Sequence, residues 1–133
     1  MVSSERAEAV VRDYYDALRD GDPLGPYFLR DDSTVKFGIS ESLFGEGEIV
    51  TALEEQTEAT ANWSLESRHL VVAEWDGVST FADEVTMAWT DTERGDRHRF
   101  DSRWSGTLVE QPEDPDGPNW RFAVMHVSAS TEI

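Results

Sequence analysis

The chain has 133 residues, of which 28 are acidic and 11 basic, so its formal net charge is −17 at pH 7. A field of this sign disfavours nucleic acid and anionic membrane surfaces as partners. The sequence contains no cysteine, which excludes disulfides, thiolate metal sites and cysteine nucleophiles. It has no apolar run of about 18 residues and no secretory leader, so we expect a cytoplasmic location.

Lys36 is the only lysine, and the other basic residues are arginines. A surface rich in carboxylates and nearly free of lysine stays soluble in molar salt, where the Debye length falls to about 3 Å. The acidic residues are spread along the chain, which is typical of cytoplasmic proteins from salt-accumulating halophiles. We therefore expect an acidic, salt-adapted protein from a halophilic archaeon. An acidic surface that binds a basic partner is the alternative.

Apolar residues at helical spacing predict a first helix over residues 3–19, with Ser3 or Ser4 as its cap. Gly21 and Pro23 then end it. Tyr14 and Tyr15 lie on this helix, where a role in the core is the default expectation.

The following segment, 23–32, is predicted to close one end of the core, and 34–39 can form a short strand. A second helix is predicted from about 45 to 60, with its acidic face in solvent. The second half of the chain alternates in the manner of long β-strands separated by turn residues. The predicted strands are 63–75, 78–90, 97–110 and 120–128. Because strands of this length must twist and bend, we expect a curved antiparallel sheet with the helices on its concave side.

Four stretches of sequence resemble one superfamily. They are "FDSRWSG" (100–106), "WRFAVMHVS" (120–128), "FLRDDSTVKFG" (28–38) and "FGEGEIVTALEEQ" (44–56). The ending is similar to the Arg-containing strand and the Trp-x-x-x-x-x-His-x-Ser pattern of SnoaL-like domains and of the association domain of calcium/calmodulin-dependent kinase II. The resemblance implies the cone-shaped α+β fold of the nuclear transport factor 2 superfamily, as a single SnoaL-like domain over residues 1–133.

This fold hosts cyclases, isomerases, hydrolases, binding proteins and assembly modules, so the resemblance leaves two classes of function open. The first is a SnoaL-like protein that binds or transforms a small polar organic molecule in the cone. The second is a noncatalytic homodimerisation module whose cone is filled. An open cavity with an unpaired Arg103 favours the first class, and a filled cone with a paired Arg103 favours the second.

Sheet alternation selects the candidate site residues. Asp83 shares a face with the apolar residues of its strand, and Asp101 shares a face with Arg103. The resemblance implies that Arg103 lines the cone, where it would anchor a ligand or pair with Asp83 or Asp101. Asp83 and Asp101 are also the candidate catalytic acids, because an Asp-Arg-Asp set superficially resembles that of limonene epoxide hydrolases. An internal ion pair with no catalytic role is the competing interpretation.

His126, Ser128 and Trp89 complete the set of predicted ligand contacts. His126 and Ser128 share a face with Trp120, Phe122 and Val124 if the last strand alternates strictly. A hydrogen-bonded core or interface histidine is the alternative role for His126. The resemblance also implies that the residue after this histidine, Val127, points into the pocket, which would turn His126 to the outer face.

Further expectations concern metals, cofactors and assembly. The three histidines lack metal-ligand spacing, and the chain has no glycine-rich phosphate loop, so we expect neither a metal nor a cofactor. A sheet covered by helices on one side leaves an apolar face exposed, which predicts a homodimer formed through that face.

Overall fold

The computed structural model describes residues 6–111 and 116–131. Within these ranges two α-helices pack on one curved sheet of seven strands. The elements are α1 (Ala7–Asp20), β1 (Val35–Phe37), β2 (Ser42–Phe44), α2 (Glu46–Ala59), β3 (Thr60–Ser67), β4 (Val71–Trp75), β5 (Val78–Asp91), β6 (Arg97–Glu110) and β7 (Trp120–Ala129). The predicted α+β cone is confirmed.

The strand order is β2-β1-β7-β6-β5-β3, and β4 pairs with β5 beside β3. Every pairing is antiparallel except that of β1 with β7, which is parallel. The sheet is therefore mixed, and the expectation of a purely antiparallel sheet is corrected. The predicted turn at Asp76 and Gly77 joins β4 to β5, with Gly77 at φ 77°, a conformation that glycine adopts readily.

Helix α1 carries an apolar stripe at 3.6-residue spacing, and this stripe faces the concave side of the sheet. The Tyr14 ring packs edge-on against Phe122, with ring centroids 5.2 Å apart, and Tyr15 packs in the same way against Trp104 at 5.3 Å. The helix ends at Gly21, which adopts the left-handed conformation typical of a C-cap. The predicted caps, Ser3 and Ser4, lie outside the described residues.

Predicted strand 63–75 is in fact two strands, β3 and β4, which pair with successive parts of β5. The break lies opposite Asp83. Its carboxylate accepts hydrogen bonds from the Ser67 hydroxyl at 2.6 Å and from the His69 backbone N–H at 3.0 Å. These bonds replace ladder hydrogen bonds at the break, so the chain bends there without leaving the carboxylate unpaired.

Strand β7 contains a bulge that changes which face its residues occupy. Thr107 pairs with Val124 but Leu108 pairs with Phe122, so Ala123 is an extra residue in the ladder. Trp120 and Phe122 are therefore buried, whereas Val124 is exposed. The expectation that Phe122, Val124 and His126 share one face was wrong, because strict alternation does not hold across a bulge.

Candidate ligand cavity in the cone

A cavity of about 180 Å³ lies between the concave face of the sheet, α1, the end of α2 and the turn from β1 to β2. A cavity of roughly 150 Å³ is large enough to hold a benzene ring. The cone therefore has room for a small organic molecule of one ring. The residues that line the cavity are Tyr14, Leu18, Lys36, Gly38, Ile39, Ser40, Glu41, Gln56, Thr60, Trp63, Met87, Trp89, Trp104, Met125 and Val127.

Three tryptophans form much of the cavity wall. Trp63 from β3 and Trp89 from β5 are stacked, with ring centroids 4.8 Å apart, and Trp104 from β6 closes the wall toward α1. The indole N–H groups of Trp63 and Trp104 are held by Thr60 and Ser102 at 2.8 and 3.0 Å, which fixes both rings. Rigid aromatic faces of this kind favour a planar, partly apolar ligand.

Among the described residues, Lys36 and Glu41 are the only charged ones that line the cavity. Alternation along β1 turns Lys36 inward, and its side chain is only 7% exposed. Its ammonium group donates a hydrogen bond to Glu41 Oε1 at 2.7 Å. Glu41 lies on the turn between β1 and β2, where its side chain is 39% exposed. One end of the cavity thus carries an ion pair whose lysine is buried and whose glutamate is partly exposed to solvent.

Tyr14 supplies a second polar group. The residue is 2% exposed, yet among the described residues its hydroxyl finds no hydrogen-bond partner. The hydroxyl oxygen is not sealed in the core but borders the cavity, so a molecule in the cavity can serve as its acceptor. Burial, followed by the nearby negative charge of Glu41, raises the pKa of Tyr14, so the phenol remains a donor at neutral pH.

Lys36, Tyr14 and Glu41 together give the cavity two donors and one carboxylate beside a wall of three tryptophans. Such a set can hold an oxygen-bearing ligand, and a carboxylate placed beside it can exchange a proton with that ligand.

Asp83 is buried, as its place among apolar residues suggested, but it does not line this cavity. Besides Ser67 and His69, it accepts a hydrogen bond from the Tyr15 hydroxyl at 3.0 Å. Burial first, and then the charge and hydrogen bond of Asp83, raise the pKa of Tyr15. The carboxylate ties α1 and the β3–β4 break to β5, so the structure places this predicted catalytic residue in a structural position.

Arg103 and Asp101 lie on the outer face of β6. Both are exposed, and their strand neighbours Ser102 and Trp104 are buried. The expectation that Arg103 lines the cone is therefore wrong. Neighbouring side chains of a strand point to opposite faces of the sheet. Because Trp104 points into the core, Arg103 points outward. Asp101 accepts a hydrogen bond from Thr86 at 3.1 Å, so the structure does not bring it together with the buried Asp83.

His126 and Ser128 also face outward. His126 is exposed and packs edge-on against Phe37, with ring centroids 5.7 Å apart, and Ser128 is paired with Arg103 across the strands. Val127 is buried and lines the cavity, as the resemblance implied. Of the predicted ligand contacts Arg103, His126, Ser128 and Trp89, only Trp89 lines the cavity.

Sequence reasoning missed Lys36, Glu41 and Tyr14 as cavity residues. One signal was available for Lys36. It is the only lysine in the chain, and it stands between two apolar residues of a strand. No local signal marks Glu41, because its position depends on a hairpin of three-residue strands.

The described residues contain no group of three or more His, Asp and Glu side chains that could hold a metal ion. Nor is any helix in the described part of the chain both long and apolar enough to cross a membrane.

The cone of helices on a curved sheet, with a cavity inside it, defines the nuclear transport factor 2-like fold, and solved structures of that class match this chain. Neither a family model nor a curated protein matches the sequence.

Three of these solved structures illustrate the range of the class. A nuclear transport factor 2-like superfamily protein from Salmonella enterica serovar Typhimurium has a TM-score of 0.78 at 16% identity, covering 93% of this chain and 88% of its own. A ketosteroid isomerase-like protein from Erwinia carotovora atroseptica has a TM-score of 0.71 at 16% identity, covering 94% of both chains. A structure from Xanthomonas campestris, provisionally named a calcium/calmodulin-dependent protein kinase II association domain, has a TM-score of 0.73 at 16% identity, covering 100% of this chain and 99% of its own. At such identities the similarity establishes the fold alone.

Proposed function

We propose that this single domain binds a small planar organic molecule in its cone, between the tryptophan wall and the polar end formed by Tyr14, Lys36 and Glu41. The observation that carries the proposal is the Tyr14 hydroxyl. It belongs to a side chain that is otherwise buried, it reaches the wall of the cavity, and it has no acceptor among the described residues. A bound oxygen atom would satisfy it.

The open cavity further supports this class of function. A module whose only task is association has no need of a cavity of about 180 Å³, because empty space in a core reduces stability. The isomerase-like neighbour with the same fold is compatible with a small-molecule role.

Filling the cavity is expected to abolish binding. We predict that Val127→Phe lowers the affinity for benzamide, a neutral single-ring probe, by at least about 10-fold, because the new ring occupies the space of the ligand. Binding is measured by ¹H–¹⁵N NMR of the indole N–H groups. In the unmodified protein, benzamide should shift the signals of Trp63, Trp89 and Trp104. Trp75, which is 59% exposed and does not line the cavity, is the internal reference.

Val71→Phe is the matched control. It makes the same change at a residue that is 54% exposed on the sheet, outside the cavity, and it should leave benzamide binding unchanged. The proposal fails if benzamide, added to its solubility limit, shifts none of the three indoles. It also fails if both variants bind the probe equally.

A second candidate function, association of two copies into a homodimer, is favoured by the outer face of the sheet. Cross-strand pairing places Phe44, Val35 and Val124 in one row on this face. Phe44 is 56% exposed and Val124 is 39% exposed. Exposed apolar side chains that form a continuous row mark interaction surfaces more often than scattered ones do. The association domain-like neighbour with this fold is compatible with such a role.

We expect Val124→Arg to shift a dimer toward monomer by at least about 10-fold in its dissociation constant, because it places a charge in the middle of the apolar row. Sedimentation velocity over a concentration series measures this change. Ile39→Arg is the matched control, since Ile39 is equally exposed but lies on the turn at the mouth of the cone. A chain that sediments as a monomer at all concentrations contradicts the association proposal.

We also infer that the protein works in a salt-rich cytoplasm. Asp83 is the only buried acidic residue in the described part of the chain, so the other acidic residues described there are at least partly exposed. Such a surface stays soluble where salt screens its self-repulsion.

A further inference from the structure

We propose that the Glu41 carboxylate is a built-in occupant of an anion site at Lys36, and that the ligand of the cone is a single-ring aromatic carboxylate that displaces it. This inference rests on the proposed function, because it names the class of molecule that the cavity accepts.

The ion pair itself is asymmetric. Lys36 is held by a strand and is nearly inaccessible, whereas Glu41 reaches it from an exposed turn. The ammonium group has three N–H donors, and its one acceptor among the described residues is Glu41 Oε1. If Glu41 turned into solvent, a buried ammonium group would be left without its carboxylate partner, which is unfavourable. A carboxylate of the ligand would restore the pair, and the carboxylate already present shows that the site accepts this group.

The remaining surroundings favour the same class of ligand. The Tyr14 hydroxyl lacks an acceptor among the described residues, so it can donate to the second oxygen of a carboxylate. With Glu41 turned out, Lys36 is the only charged group from the described residues that lines the cavity, which makes the cavity locally cationic inside a protein of net negative charge. The tryptophan wall and the volume of about 180 Å³ suit one aromatic ring.

The absence of a side chain at Gly38 leaves the space in which the Glu41 side chain reaches Lys36. The Glu41 side chain folds across Gly38, and a β-carbon added at position 38 would lie 2.7 Å from Glu41 Cγ and 2.8 Å from Oε1. Both atoms belong to a flexible side chain, so a methyl group at this position would push Glu41 away from Lys36 and leave its charge intact. Gly38 does not have a positive φ, so alanine is compatible with the backbone here.

The test compares benzoate with benzamide, its neutral analogue of similar shape, at constant ionic strength and with indole NMR as the readout. We expect Glu41→Gln to bind benzoate about 10-fold more tightly than the unmodified protein and to change benzamide binding by a much smaller factor. Gly38→Ala should also tighten benzoate binding, by at least about 3-fold. Lys36→Met should weaken benzoate binding by at least about 10-fold and benzamide binding by a much smaller factor, and an unchanged indole signal of Trp75 shows that the variant is folded.

Glu84→Gln is the control for net charge. Glu84 is an exposed residue of β5, so this variant removes one negative charge without touching the cavity. It should leave the affinity for benzoate unchanged. Equal tightening by Glu84→Gln and Glu41→Gln would overturn the inference, because it would show only a relief of general repulsion.

Two further outcomes also overturn the inference. One is benzoate affinity that does not change in Lys36→Met or does not rise in Glu41→Gln. In that case retained binding of benzamide would leave the proposed function standing. The other is that neither probe binds any variant, which would remove the proposed function as well.

Discussion

Replacing Asp83 with alanine is expected to lower the free energy of unfolding by about 3–5 kcal/mol. The buried carboxylate accepts three hydrogen bonds, from the Tyr15 hydroxyl, the Ser67 hydroxyl and the His69 backbone N–H. Hydrogen bonds to a charged group contribute about 1.5–3 kcal/mol each, and networks of them are not additive. Loss of Asp83 leaves three donors without their acceptor in or near the core. Urea unfolding followed by tryptophan fluorescence measures the change.

Asp101→Ala is the matched control for Asp83→Ala. It removes the same side chain from the exposed face of the sheet, where the partners are Thr86 at 3.1 Å and Arg99 at 3.7 Å. We expect a change within about 0.5 kcal/mol, as for other exposed polar contacts. A double-mutant cycle with Tyr15→Phe should give a coupling energy of about 1–2 kcal/mol. Equal effects of the two alanine variants would contradict the structural role of Asp83.

Raising the pH above 10 is expected to destabilise the protein steeply, through Tyr14 and Tyr15. Burial is the main cause of the raised pKa of both side chains, and the charges of Glu41 and Asp83 respectively add to it. In the unfolded chain a tyrosine ionises near pH 10. Below that pH both states keep the proton and stability does not depend on this pair. Above it the unfolded state loses protons first, so stability falls by up to about 1.4 kcal/mol per pH unit for each tyrosine.

Urea unfolding at pH values from 8 to 12, at fixed ionic strength, measures this loss. Tyr14→Phe and Tyr15→Phe should each remove about half of the slope above pH 10. The 295 nm absorbance of these two tyrosines should rise only as the chain unfolds. If the unfolding free energy falls equally steeply with pH in both variants and in the unmodified protein, other groups cause the loss of stability at alkaline pH.

The two helices and the long strands β5, β6 and β7 could be predicted from the sequence, because each buries one face over many residues. Strand β6 has the predicted bounds, and its alternation correctly separated Trp104 from Arg103. Alternation by itself does not say which of two faces is the inner one. That choice was taken from the resemblance, and it placed Arg103 on the wrong side.

Two irregularities in the sheet account for most of the remaining differences between the predicted strands and the observed ones. The bulge at Ala123 reverses the alternation of β7, and the break opposite Asp83 divides one predicted strand into two. Both are decided by pairing with distant strands, which a local pattern does not contain. The same holds for β2 and hence for Glu41, because strands of three residues give almost no periodic signal.

By itself the sequence determined the net charge of −17, the absence of cysteine chemistry, the two helices and the long strands, because these follow from composition and from local periodicity. It also determined the cone through its resemblance to a superfamily. The tertiary structure decided which polar groups face the cavity. Lys36, Glu41 and Tyr14 come from a short strand, a turn and a helix, and they meet only when the sheet curves around α1. Their proximity depends on contacts between residues far apart in the chain, and no local pattern fixes such contacts.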